Sequence, residues 1–132
     1  MKRLIAESYL LLLRLEALMA FGKLHALHRR LQAARVQTAA SGEPRSAVEL
    51  CRSMDLACVL YPKQVLCLQR SAATTLLLRR YGYSAEMVIG AQMLPFKSHA
   101  WVEIGGAVVN DRPYMHEIYK FLDRCRPQES SR

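Results

Sequence analysis

The chain has 132 residues, 52% of them hydrophobic and 23% charged, so it can bury one core without a metal or disulfide staple, and nothing points to wholesale disorder. Nineteen basic residues against eleven acidic ones give a net charge of +8. With no zinc-finger spacing, no aromatic-interleaved strand and no reading helix, that charge is assigned to an acidic polypeptide partner rather than to nucleic acid.

Lys2 and Arg3 lead into a leucine-rich stretch in which Leu4, Leu11, Leu12, Leu15, Leu18 and Met19 share one helical face. A helix is expected over about 3–34, with a break near Gly22. Glu7, Arg14 and Glu16 interrupt the apolar run, so it is too short to cross a bilayer and carries no credible cleavage site. The stripe is assigned to packing on the protein's own core, not to a membrane. His25 and His28 are read as a solvated basic face rather than a metal site, and no metal or cofactor is expected.

The run TAASGEPR, Thr38 to Arg45, reads as a loop. Ser46 followed by Glu49 is a capping-box pattern, so a second helix should start near Ala47, carry Val48, Leu50, Leu56, Val59 and Leu60, and stop at Tyr61-Pro62. A third should run from about Val65 to Tyr81 with Gly82 as its C-terminal cap. Beyond it, residues 83–90 have strand alternation, 91–98 read as a loop around Pro95, and HAWVEI, Gly105-Gly106 and AVVND form a hairpin. Tyr114 to about Arg124 suits a last short helix, and 127–132 a frayed tail. Helices first and antiparallel strands second make an α+β protein, read as a single domain over 1–132: an N-terminal helical region over 1–40 and a core over 46–124.

The cysteines fall at 51, 58, 67 and 125, with no paired zinc spacing, and read as reduced, cytoplasmic thiols. Cys51 and Cys58 lie inside the second helix among apolar residues, and Cys125 falls near the frayed end. Cys67 alone opens a helix, where unpaired N–H groups and the positive helix end favour a thiolate, with Arg70 one turn on. A catalytic thiol also needs a base and a group that orients the base. His99 begins a strand and Asp111 ends its hairpin partner. A two-residue turn at Gly105-Gly106 pairs residues whose numbers add to 211, which sets Asp111 opposite Ala100 and away from the face of His99. A three-residue loop or a bulge would put His99 and Asp111 on one face, diagonal to each other. Taken alone, the two residues are equally well read as a strand start and as Asn110-Asp111 turn chemistry.

The residues Cys67-Leu68, Arg70-Ser71, Arg79-Arg80-Tyr81-Gly82, Val88-Ile89-Gly90, His99-Ala100-Trp101-Val102-Glu103 and Val109-Asn110-Asp111 together resemble the transglutaminase-like leader peptidases of lasso-peptide biosynthesis. The resemblance covers about Ser46 to Pro113. It implies a papain-like core with Cys67 as nucleophile, His99 as general base and acid, and Asp111 as the residue that orients His99. It implies removal of a leader from a ribosomally made precursor peptide, before a separate cyclase closes the macrolactam. Because the leucine-rich N-terminal helices leave no room for a fused leader-recognition module, a separate recognition protein is expected to deliver the leader. The Cys67 backbone N–H is the expected oxyanion donor, with the Gln64 or Gln69 side chain as a second. Two other readings stay open: an acyl transferase on the same fold, and a non-catalytic scaffold for precursor or cyclase.

Overall fold

A computed structural model of the chain describes residues 2–33, 46–62, 65, 67–93, 96–110 and 120–125, with backbone alone at 21–28, 33, 92–93, 96–98 and 120–125. The Thr38–Arg45 loop, the 127–132 tail, Gln64, Asp111 and the side chains of His25 and His28 therefore lie outside the described residues. The first helix, α1, is Lys2–Ala33 and passes through Gly22 without the expected break. A single glycine costs a helix only about 1 kcal/mol, less than the burial of Leu15 before it and Leu31 after it stabilises the same helix. Leu4, Leu11, Leu12 and Leu15 are buried in the core, with Leu18 and Met19 packed against it. The acidic residues that break the apolar run serve the packing too. Tyr81 donates its hydroxyl to Glu7 at 2.8 Å, and Tyr61 donates to Glu16 at 2.8 Å.

Helix α2, Ala47–Leu60, begins where Ser46 Oγ accepts the Glu49 backbone N–H at 3.1 Å, and its chain turns to an extended conformation at Tyr61. Its buried residues are Leu50, Cys51, Ser53, Met54 and Ala57. Of the apolar residues the sequence places on this helix, Val48, Leu56, Val59 and Leu60 are exposed. The inward face follows the 50, 54, 57 spacing, and small residues there let α2 lie close to its neighbours. Helix α3, Cys67–Arg80, starts two residues later than expected. It ends as the glycine foretold: Gly82 has φ +96°, Tyr83 N–H bonds the Leu78 carbonyl at 3.0 Å, and Gly82 N–H bonds that of Arg79 at 3.2 Å. Arg79 is not a solvated charge at the helix end. It is buried, and its guanidinium donates to the carbonyls of Leu31 and Ala85, joining the end of α1 to the sheet.

The sheet contains β1, Ala85–Met93; β2, Phe96–Ile104; β3, Ala107–Val108; and β4, Lys120–Cys125. The strand order is β3-β2-β1-β4, and every pair is antiparallel. Most of the expected loop over 91–98 is thus strand: β1 and β2 stay paired out to Met93 and Phe96. Pro95 signalled a longer loop than exists, because it falls between the paired segments in sequence rather than inside one. The helix expected to reach Arg124 is contradicted over 120–124, which form β4, and Cys125 closes that strand opposite Met87. The second edge of β1 explains this, since its backbone groups need partners and a pairing strand overrides local propensity. Leu122 is an extra residue in β4, a bulge opposite the Ile89/Gly90 step. All three helices and one sheet face share the main core, where Ala85, Met87, Ala100 and Val102 meet Leu50, Met54, Ala72 and Leu77. Val88 and Trp101 are buried on the opposite face.

Candidate active site

Cys67 is the first residue of α3 and is only half-buried, so its sulfur stands where the unpaired N–H groups of a helix start gather. The other two described thiols are held differently. Burial pushes the Cys51 thiol up to about 11, with the Asp55 carboxylate adding to the effect and Arg70 opposing it. Burial raises Cys58 as well, with Arg70 opposing and Asp55 adding. Both are free, protonated packing groups in the middle of α2, as the sequence indicated. Arg70, in the first turn of α3, donates to the Asn110 carbonyl at 3.1 Å and lies 3.8 Å from Asp55.

His99 lies in β2, paired with Gly90 of β1. Strand alternation places it on one face with Trp101 and Glu103, while Ala100 and Val102 point into the helical core. The His99 and Trp101 rings stack with centroids 6.2 Å apart and planes 28° apart. Trp101 donates its indole N–H to Glu103 at 2.8 Å, and both are buried. An imidazole backed by a fixed indole has fewer orientations open to it.

What aligns the helix start with this strand is a set of hydrogen bonds at the strand's edge. Val109 N–H bonds the Val102 carbonyl at 2.9 Å, so the backbone groups of Val102 point toward β3. Two residues earlier, those of Ala100 point the same way. There Ser71 Oγ donates to the Ala100 carbonyl at 2.9 Å, so the Ser71 hydroxyl, one turn into α3, reaches the edge of β2 that β3 leaves open. At its other end, α3 is bonded through Arg79 to Ala85, which pairs with Ile104. Helix and strand therefore run in the same direction. One turn back from Ser71, about 6 Å along the axis, Cys67 stands on the side of Ser71 toward the start of β2, the direction in which His99 precedes Ala100. His99 does not open the strand as expected but is its fourth residue, after Phe96. An edge is also where side chains from either face of a sheet can reach.

The hairpin register is that of the two-residue turn: Glu103 pairs with Val108 and Ile104 with Ala107. Gly105 and Gly106 have φ of +59° and +85°, as such a turn requires. The three-residue loop is not found. The described ladder ends at Val108: beyond it Val102 N–H bonds the Asn110 side-chain Oδ1 at 2.7 Å, and the chain bends at 109–110. Asn110, which the sequence offered only as turn chemistry, also donates from Nδ2 to Ser71 Oγ at 3.2 Å. Its signal was the amide itself, donor and acceptor together, one residue past a strand. Ser71 is structural, as its place inside the helix indicates. The Gln69 amide is buried and donates to the Leu12 carbonyl at 2.9 Å, which commits it to packing α3 on α1 rather than to an oxyanion. Among the described residues no cluster of His, Cys, Asp and Glu has the makings of a metal site, and no helix is long and apolar enough to cross a membrane.

A family model described as the transglutaminase-like superfamily matches residues 9–123, which takes in Cys67, His99 and Asp111. The chain belongs to that superfamily. The α+β, transglutaminase-like fold read from the sequence is its fold. Over 51 residues it is 45% identical to the microcin J25-processing protein McjB of Escherichia coli, a stretch that is 39% of this chain and 24% of that relative. The chain thus spans about a quarter of the relative's length. No solved structure matches it at a significant level.

Proposed function

We propose that this member of the transglutaminase-like superfamily is a cysteine peptidase that removes the leader from a lasso-peptide precursor, with Cys67, His99 and Asp111 as its triad. The observation that carries the reading is the half-exposed Cys67 at the first position of α3, a helix tied through Ser71 to Ala100, the residue after His99. The similarity to a microcin-processing protein supports a processing role in the biosynthesis of such peptides.

In the proposed reaction the Cys67 thiolate attacks the carbonyl at the leader–core junction. The tetrahedral oxyanion takes a hydrogen bond from the Cys67 backbone N–H at the helix start, with Gln64 as candidate second donor; one such donor is worth about 3 kcal/mol of barrier. His99 gives its proton to the departing amine, and water then hydrolyses the thioester with His99 as base. Asp111 orients the imidazole and stabilises its cation. The products are a free leader and a core peptide with a new amino terminus, the form a separate cyclase needs. The net charge of +8 suits an acidic leader or a leader-recognition protein, and the proposed compartment is the cytoplasm.

The test is incubation with the precursor encoded beside its gene, with and without a candidate recognition protein, followed by mass spectrometry. Cleavage that vanishes in Cys67→Ala, with the circular dichroism unchanged, is the expected result. Amine incorporation in place of hydrolysis would establish the acyl-transfer reading that the superfamily's chemistry also allows. Equal cleavage by wild type and Cys67→Ala would end the proposal.

A further inference from the structure

We infer that Asn110 and Ser71 form a clasp that positions the nucleophile helix against the base-bearing strand. This rests on the triad proposed above and assigns two further positioning residues to it. The clasp has four hydrogen bonds. Ser71 Oγ donates to the Ala100 carbonyl and accepts from Asn110 Nδ2; Asn110 Oδ1 accepts from Val102 N–H; and the Asn110 carbonyl accepts from Arg70. Three of its members stand one step from a proposed catalytic group. Ser71 is one helical turn from Cys67, Ala100 follows His99, and Asn110 precedes Asp111.

The clasp also replaces something ordinary. In the register set by Gly105-Gly106, Val102 and Val109 should exchange two main-chain hydrogen bonds. Only Val109 N–H to the Val102 carbonyl is made; the return bond is taken by the Asn110 side chain. Had the ladder continued, Asp111 would stand opposite Ala100 and on the face away from His99. Substituting a side-chain acceptor satisfies Val102 while the chain bends at 109–110. A simple strand end would leave Val102 N–H to water. Here the atom that caps it is tied through Ser71 to the helix of Cys67.

The experiment uses Ser71→Ala and Asn110→Ala in the full chain. Ser71 is fully buried, so its variant risks instability; Asn110 is half-buried and supplies the second arm. Precursor cleavage is measured as kcat and KM per active site, the sites being counted by stoichiometric alkylation of Cys67. A misplacement of about 1 Å costs on the order of 100-fold in rate, so kcat per site should fall 10- to 100-fold with KM within about twofold. A lower melting temperature with kcat per site unchanged in both variants would overturn the clasp. The peptidase reading is judged by wild type against Cys67→Ala, and the clasp by these variants against wild type, so the two fail on different comparisons.

Discussion

Alkylation of the native protein with iodoacetamide at about pH 7.5 should label the half-buried Cys67 well before Cys51, and burial sets how far Cys51 is slowed relative to the unfolded chain. A thiol held at about 11 is roughly 0.03% thiolate at that pH, against roughly 10% for a thiol near 8.5 in the urea-denatured chain, a difference of about 300-fold. The more basic thiolate is intrinsically the better nucleophile, which restores roughly tenfold. About 30-fold remains from ionisation alone. Burial of Cys51 at 7% exposure restricts access and widens the gap. The assay is a time course read by peptide mass spectrometry, with a urea-denatured control in which all sites react alike. Cys51 labelled in the folded protein within threefold of its rate in urea would refute the reasoning, because burial would then not be what protects it.

Three further outcomes follow from the packing. Arg79→Met leaves the Leu31 and Ala85 carbonyls without their guanidinium donor, at about 1–3 kcal/mol each, and should lower stability by about 2–4 kcal/mol in urea melts; a loss under 1 kcal/mol would contradict that account. Ser46→Ala removes the acceptor for Glu49 N–H and should cost about 1 kcal/mol by the same melts, with cleavage per folded molecule unchanged. Cys51 binds its proton more tightly in the folded chain, so the stability it contributes is present below about pH 9 and is lost as pH rises toward 11. Cys51→Ala should therefore flatten the alkaline fall of the melting temperature seen for wild type.

Capping and turn chemistry act over a few residues, and there the sequence was sufficient. Ser46 with Glu49, Gly82 after Arg80, and Gly105-Gly106 each set a boundary through a local backbone need, and the chain breaks at those points. Cys67 stood apart from Cys51 and Cys58 for the same reason: being first in a helix is a property of position along the chain. What lies across the chain was hidden. Residues 120–125 became a strand because an open edge of β1 was there to pair with, and no local pattern encodes a partner more than thirty residues away. The inward face of α2 was decided by how closely it lies on its neighbours, which left Val59 outside and Met54 within. Asn110 is the clearest case, since its side chain has meaning only once α3 and β2 meet. Local interactions place the sulfur at a helix start; tertiary packing sets that start beside the strand of His99.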